Sequence, residues 1–407
     1  MKVANIVGRI LLLSLFAVVV AALAGCGAPQ RKPEEQVFFP PAPELPRIKY
    51  LAYFTSEKDL SPHQSAFDRF VVGEARDLRL DKPYGVAIHD GKIYVCDTNS
   101  TVLVFDLEKR KLAPLRGAQG LGKLIQPLNI SIDKEGNKYV TDPIRGQVVI
   151  FDKDDMYRSS FGEPGKWKPV DAVVYEGLLY VADIKNNVVK VFDKRTGDLV
   201  REIGNRGEPK EVLGLPTNLA FDSQGYLYVS DAGRFQIVKY DRDGHFSGTI
   251  GKLGSNPNFF ARPRGITVDR KDRLYAVDAA FNNVQIFDKD GHLLLFFGKG
   301  GIGPGDLYVA AQVAVDYDNV KYFQKYADPD FEIENIIIVT SQFERRLVNV
   351  YAMGKLKGKQ YPTDEQLMQE MKEKIRKAEE EEQSKKKAEE QPKKEGEGTG
   401  PEEPQAK

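Results

Sequence analysis

Asn129, Asp171 and Asn218 stand 42 and 47 residues apart, and each lies two residues after a proline. Amide oxygens grouped with a carboxylate are ligands that a hard cation accepts. Gln312, with Arg264 nearby in the pattern, extends the set and would also suit a small polar ligand. Hydrolytic chemistry would need more. No Glu holds an equivalent position, and no second carboxylate stands beside Asp171 as a general base. A second regular set is Asp97, Asp142, Asp183, Asp231 and Asp278, with spacings of 45, 41, 48 and 47. One carboxylate per unit is too dispersed to share a metal. An Asp at a strand end instead accepts backbone N–H groups of the turn, so we expect this column to be structural.

The remaining reactive residue types are sparse. A zinc centre would need several of the four histidines to converge. His245 and His292 follow equivalent Asp-Gly turns, and we expect them, with His63 and His89, to be separated and exposed. Cys96 occupies a place held elsewhere by Thr141, Ala182, Ser230 and Val277, which predicts a small buried residue. No Cys-X-X-Cys-His, phosphate-binding loop, nucleophile elbow or HExxH is present. We therefore assign no catalytic residue, no metal ligand and no cofactor, and keep a divalent cation at Asn129, Asp171 and Asn218 as the alternative.

The elements that carry these residues repeat. Pro83-Tyr84-Gly85-Val86-Ala87-Ile88 with Ile93-Tyr94-Val95-Cys96-Asp97 recurs at 127–142, 169–183, 216–231 and 263–278. Each unit continues to a third run ending in an aromatic and Asp, as at Phe105-Asp106 and Phe287-Asp288. Apolar runs of four to six residues separated by Asp-Gly and similar turns read as a strand meander. All-strand repeats near 45 residues match one four-stranded propeller blade. A sixth, degenerate unit has Ala311–Asp316, Ile336–Thr340 and Val348–Tyr351, with Ser341 or Gln342 in place of the Asp. Its outer strand is expected from Ile48–Phe54, closing the ring from both chain ends. The fold class is thus all-β, a six-bladed β-propeller over 48–355, in which the inner strands line a central tunnel. Gly85, Asn129, Asp171, Asn218, Gly265 and Gln312 are expected at its mouth.

Unit endings such as Tyr-Val-Ala-Asp183-Ile-Lys-Asn-Asn-Val-Val-Lys-Val-Phe192-Asp resemble the NHL repeat, and the whole resembles a six-bladed NHL-type propeller. The Asn-His-Arg letters of that repeat are absent; Asn186-Asn187-Val188, Arg234-Phe235-Gln236 and Phe281-Asn282-Asn283 stand there. The tunnel set is also similar to that of six-bladed lactonases, which coordinate a divalent metal with Glu, Asn and Asp. That resemblance implies a metal-dependent hydrolase as the alternative to a binding or scaffold protein.

The flanks read differently. Basic Lys2 and Arg9 precede an apolar run, Ile10 to Ala24, too short to span a bilayer and of signal-peptide length. Leu23-Ala24-Gly25-Cys26 resembles the lipobox of bacterial lipoproteins. It implies cleavage after residue 25, lipidation of Cys26 and a place in the cell envelope. Gly27, rather than Asp, is compatible with outer-membrane sorting. Residues 26–47 are proline-rich and read as a tether. The insertion 317–335 in the sixth unit carries Tyr317, Tyr322, Phe323, Tyr326 and Phe331, which we expect to bind an envelope protein partner. The tail 356–407 opens a helix near Asp364 with a capping box, and its composition predicts disorder after Pro392. With Lys+Arg and Asp+Glu at 59 each, net charge is zero, which disfavours nucleic acid as a partner.

Overall fold

The computed structural model describes residues 36–60, 78–99 and 101–389. All but Gln36 belong to one compact unit, Val37–Lys407. Cys26, the apolar run, His63 and the last 18 residues lie outside the described residues.

Six antiparallel sheets form the blades of a β-propeller. The third blade is representative. Its strands Pro169–Tyr175, Leu178–Asp183, Val188–Asp193 and Leu199–Ile203 pair in chain order. Alternation along the inner two strands puts Ala172, Tyr180 and Val181 into the packing between blades. Tight turns need left-handed backbone, which Glu176-Gly177 supplies at φ 47° and 79°.

The sixth sheet closes the ring. Ala310–Asp316, Phe331–Ser341 and Val348–Leu356 come from the far end of the domain, and Ile48–Phe54 adds the outer strand. Phe38–Phe39, inside the segment read as a tether, pairs outside Ile48–Phe54 as a fifth strand. Residues 37–47 thus lie against the propeller. Phe39 packs on Phe297 and Tyr351, and Tyr361 donates from its hydroxyl to the Pro46 carbonyl at 2.8 Å.

The helix Asp364–Glu389 starts with reciprocal caps. Thr363 N donates to Gln366 Oε1 (2.8 Å), and Gln366 N donates to Thr363 Oγ1 (3.3 Å). Met371 and Ile375 pack against the core of the fifth blade, so the thin apolar stripe is covered by the chain's own outer strand. Among the described residues, no helix is long and apolar enough to cross a membrane.

Candidate functional site

Each inner strand delivers one residue to the axis, and the six meet. Asn129 Nδ2 donates to Asp171 Oδ1 at 2.7 Å, joining the second and third blades. Gln312 Nε2 donates to Asn129 Oδ1 at 3.2 Å, from the sixth blade to the second. With its amide oriented to satisfy its neighbours, Asn218 accepts from Asn129 Nδ2 (3.1 Å) and Gln312 Nε2 (3.2 Å) and donates to the Arg264 carbonyl (3.3 Å). All four side chains are buried. Glycine is required at the other two positions because the plug fills their space. A Cβ on Gly85 would lie 2.4 Å from Asn129 Oδ1, and one on Gly265 would lie 2.1 Å from Gln312 Oε1. The tunnel is therefore closed at this level by side chains from the second, third, fourth and sixth blades.

The plug is internally satisfied. Asp171 Oδ1 also accepts Ala172 N (2.8 Å), and Oδ2 accepts Leu219 N (2.8 Å). Asn129 Oδ1 accepts Ile130 N (3.0 Å), and Gln312 Oε1 accepts Val313 N (2.9 Å). Burial pushes the Asp171 carboxyl up to about 7, against the opposing pull of these hydrogen bonds. A hard cation requires several oxygens turned toward one point. Here Asn129 turns its nitrogen to the lone carboxylate, and the remaining amide oxygens already accept N–H groups. As arranged, Asn129, Asp171 and Asn218 do not fit a divalent ion. Arg264 is at the mouth but outside the ring: its Nη1 donates to Gln342 Oε1 (2.8 Å), and its guanidinium lies over Tyr84.

The Asp column is buried and every member accepts backbone N–H groups, with Asp183 also accepting Asn186 Nδ2 at 2.5 Å. Asp278 accepts from Ala261 N, Arg262 N, Ala280 N and Phe281 N at 2.7–3.0 Å. Asp231 accepts from Gly214 N, Leu215 N and Gly233 N. Asp97, Asp142 and Asp183 do the same in their blades. Each therefore ties the loop entering the inner strand to the turn leaving the second strand. In the sixth blade Ser341 takes the place, accepting Tyr308 N at 3.2 Å.

The insertion is docked on its own chain. The second strand of the sixth blade begins at Phe331, so the excursion spans 317–330, with short helical turns at Val320–Tyr322 and Gln324–Tyr326. Phe323 and Phe331 are core residues, with Tyr322 and Tyr326 packed beside them, and Tyr317 donates to Asp269 Oδ2 at 3.1 Å. Burying these rings within the domain removes the apolar area that a partner would have used, which corrects the expectation for Phe323 and Phe331. His245 and His292 are each paired with their own turn, Nδ1 to Asp241 and to Asp288 at 3.0 Å. With Asp243 and Asp290 they make two separate groups, one per blade. Cys96 is buried, and burial pushes its thiol well above the ordinary range.

Two features escaped the sequence reading. Lys138 is fully buried where the repeat elsewhere has Ile93, Leu179, Leu227 and Leu274; it pairs with Asp155 at 2.6 Å and caps the Asp152 and Lys153 carbonyls. The charge in that otherwise aliphatic column was the available signal. The second is a repeated clamp. Arg145 donates to the Lys123 and Leu121 carbonyls (2.6 and 2.9 Å). Lys185 reaches Gly165, Arg234 reaches Pro209 and Arg346 reaches Ile302 in the same way. A basic residue in the turn after Asp142, Asp183, Asp231 and Ser341 marks it; the turns after Asp97 and Asp278 have none.

No protein-family model and no curated protein matches the chain. Among solved structures it is similar to a protein of unknown function from Bacteroides thetaiotaomicron VPI-5482, with TM-score 0.52 and 15% identity over 69% of this chain and 71% of that one. An auxiliary nutrient binding protein from the same organism gives TM-score 0.51 and 13% identity over 67% and 70%. A gluconolactonase from Xanthomonas campestris gives TM-score 0.50 and 17% identity over 80% and 99%. At these identities the likeness is one of fold.

Proposed function

We propose that this chain is a non-catalytic binding or scaffold propeller of the bacterial cell envelope, held at a membrane by lipid on Cys26 and working through an envelope protein partner. The fold does not choose between binding and hydrolysis, since both occur among proteins built this way. The observation that supports binding is the plugged tunnel. The ring of Asn129, Asp171, Asn218 and Gln312 spends its donors and acceptors on itself and offers neither a converging ligand set nor a second carboxylate. Recognition then belongs to the outer surfaces, which a rigid closed ring holds in fixed relation.

The test is a mild-detergent pull-down of the tagged, lipidated protein from its native membrane, with proteins and metals measured in one eluate. A stoichiometric protein partner without metal is expected, and a Cys26→Ala chain should become extractable from the membrane by high salt, which leaves the lipidated chain in place. A lone chain carrying one divalent ion and hydrolysing lactones would overturn the reading in favour of the tunnel as a hydrolase site.

A further inference from the structure

The zero net charge conceals a strongly polar molecule. Because Pro83 pairs with Asp97, and Pro169, Pro216 and Pro263 with Asp183, Asp231 and Asp278, the loops entering inner strands and leaving second strands share one face. On the second to sixth blades these loops (115–128, 143–146, 162–168, 184–187, 204–215, 232–235, 251–262, 279–282, 298–309 and 342–347) carry 14 Lys and Arg against five Asp and Glu. The described turns of the opposite face (90–91, 107–110, 133–137, 152–156, 176–177, 194–198, 222–226, 241–245, 269–273, 288–292 and 317–330) carry 19 Asp and Glu against 13 Lys and Arg. Four of the 14 basic residues are the loop clamps Arg145, Lys185, Arg234 and Arg346. The others still outnumber the acids two to one.

The basic face also bears large aliphatic side chains. Leu121 (77% exposed), Ile302 (69%) and Leu253 (62%) stand in loops of three different blade junctions, with Ile125, Ile144 and Phe343 exposed nearby. Two of these loops are pinned at the protruding residue. Arg145 clamps the carbonyl of Leu121 itself, and Arg346 clamps that of Ile302.

We propose that this face is a docking surface for an anionic lipid bilayer, into which the aliphatic loop residues insert while the surrounding Lys and Arg meet headgroup phosphates. Peripheral attachment of this kind scales with inserted apolar area plus attraction to anionic lipid. Three observations favour a bilayer over an acidic protein. The centre of the face is polar, with Arg264 and Gln342 at the tunnel mouth, whereas protein hot spots cluster centrally. The protruding residues are mainly Leu and Ile, whereas hot spots favour Trp, Tyr and Arg. The described domain also begins beside this face: a Cβ on Gly305, in the loop of Ile302, would lie 2.9 Å from Val37. The chain therefore enters the described domain, at Val37, beside the surface that would lie on the membrane.

The inference adds a protein-borne contact to the proposed lipid anchor, and its test leaves that anchor out. Residues 37–407 form a unit whose ring closes within itself, so this fragment can be sedimented with vesicles of neutral lipid or of neutral lipid with about a third anionic lipid, at about 0.1 M salt. Binding to the anionic vesicles alone is expected. The triple charge reversal Lys123→Glu, Lys252→Glu, Arg345→Glu should weaken it more than tenfold, as each basic residue at a surface contributes about fivefold. Leu253→Ser with Ile302→Ser should also weaken it about tenfold or more. Lys109→Glu, Lys153→Glu and Lys289→Glu on the other face should leave it unchanged, with circular dichroism confirming that all variants fold. No binding to anionic vesicles, or equal loss from the opposite-face variant, would overturn the proposal. So would loss of an acidic protein partner in the triple variant while vesicle binding persists.

Discussion

Asp171 has the most unusual environment among the ring residues. Its native carboxyl keeps its proton to about pH 7, against an ordinary value of 3.8. Between those values the native state binds more protons than the unfolded one, so stability from this group is full at low pH and is lost as pH rises through about 7. Asp171→Asn removes both the titration and one acceptor. We expect the variant to be less stable by about 1–3 kcal/mol near pH 5, and the gap to the parent to shrink by on the order of 2 kcal/mol by pH 8. Urea midpoints at the two pH values measure this, and a pH-independent gap would refute the assigned titration. The ring's positions were legible in the sequence because five of the six follow a proline by two residues in a repeated strand, and Gln312 holds the equivalent place after Ala310. Its mutual satisfaction was not, since Gln312 and Asn129 are 183 residues apart.

Blade by blade, the strand-end Asp is the fastening. Asp278 gathers four backbone N–H groups from two loops, which would otherwise lose their acceptors in a buried place. Asp278→Ala should cost about 3 kcal/mol or more, while Asp278→Asn, which keeps one oxygen, should cost less. Equal losses for the two, read by urea denaturation, would mean that the hydrogen bonds are not the cause. The Asp column announced this role through its regular spacing and position before a turn. The reach back to the loop before the inner strand was not visible, because those donors have no side-chain signature. The C-terminal helix shows the same division. Its start at the Thr363 capping box could be read from four residues, but the surface that covers Met371 and Ile375 could not. A narrow apolar stripe is equally complementary to a partner, to a neighbouring copy or to its own domain.

At the scale of the molecule, closure is what makes the ring one cooperative body. Ile48–Phe54 covers the edge of Val348–Leu356, and Phe38–Phe39 extends the sheet further. Deleting residues 37–54 leaves the nine-residue strand Val348–Leu356 as an open edge, the arrangement that templates aggregation. We expect the truncated domain to leave the monomer peak in size-exclusion chromatography and to lose a single cooperative melting transition; a monomer with unchanged melting would show that the strand is dispensable.

Blade number, strand order, the closing strand and the ring positions were all readable from the sequence. Each depends on local period, on turn residues and on spacings that repeat every 41 to 48 residues. The structure alone decided three matters. It turned the tunnel amides toward one another, put the insertion's Phe323 and Phe331 in the domain's own core, and sorted a neutral composition into a basic, aliphatic face and an acidic one. All three arise from contacts or alignments between residues distant in the chain. In sequence such residues carry only type and order, and the folded ring alone determines which of them meet.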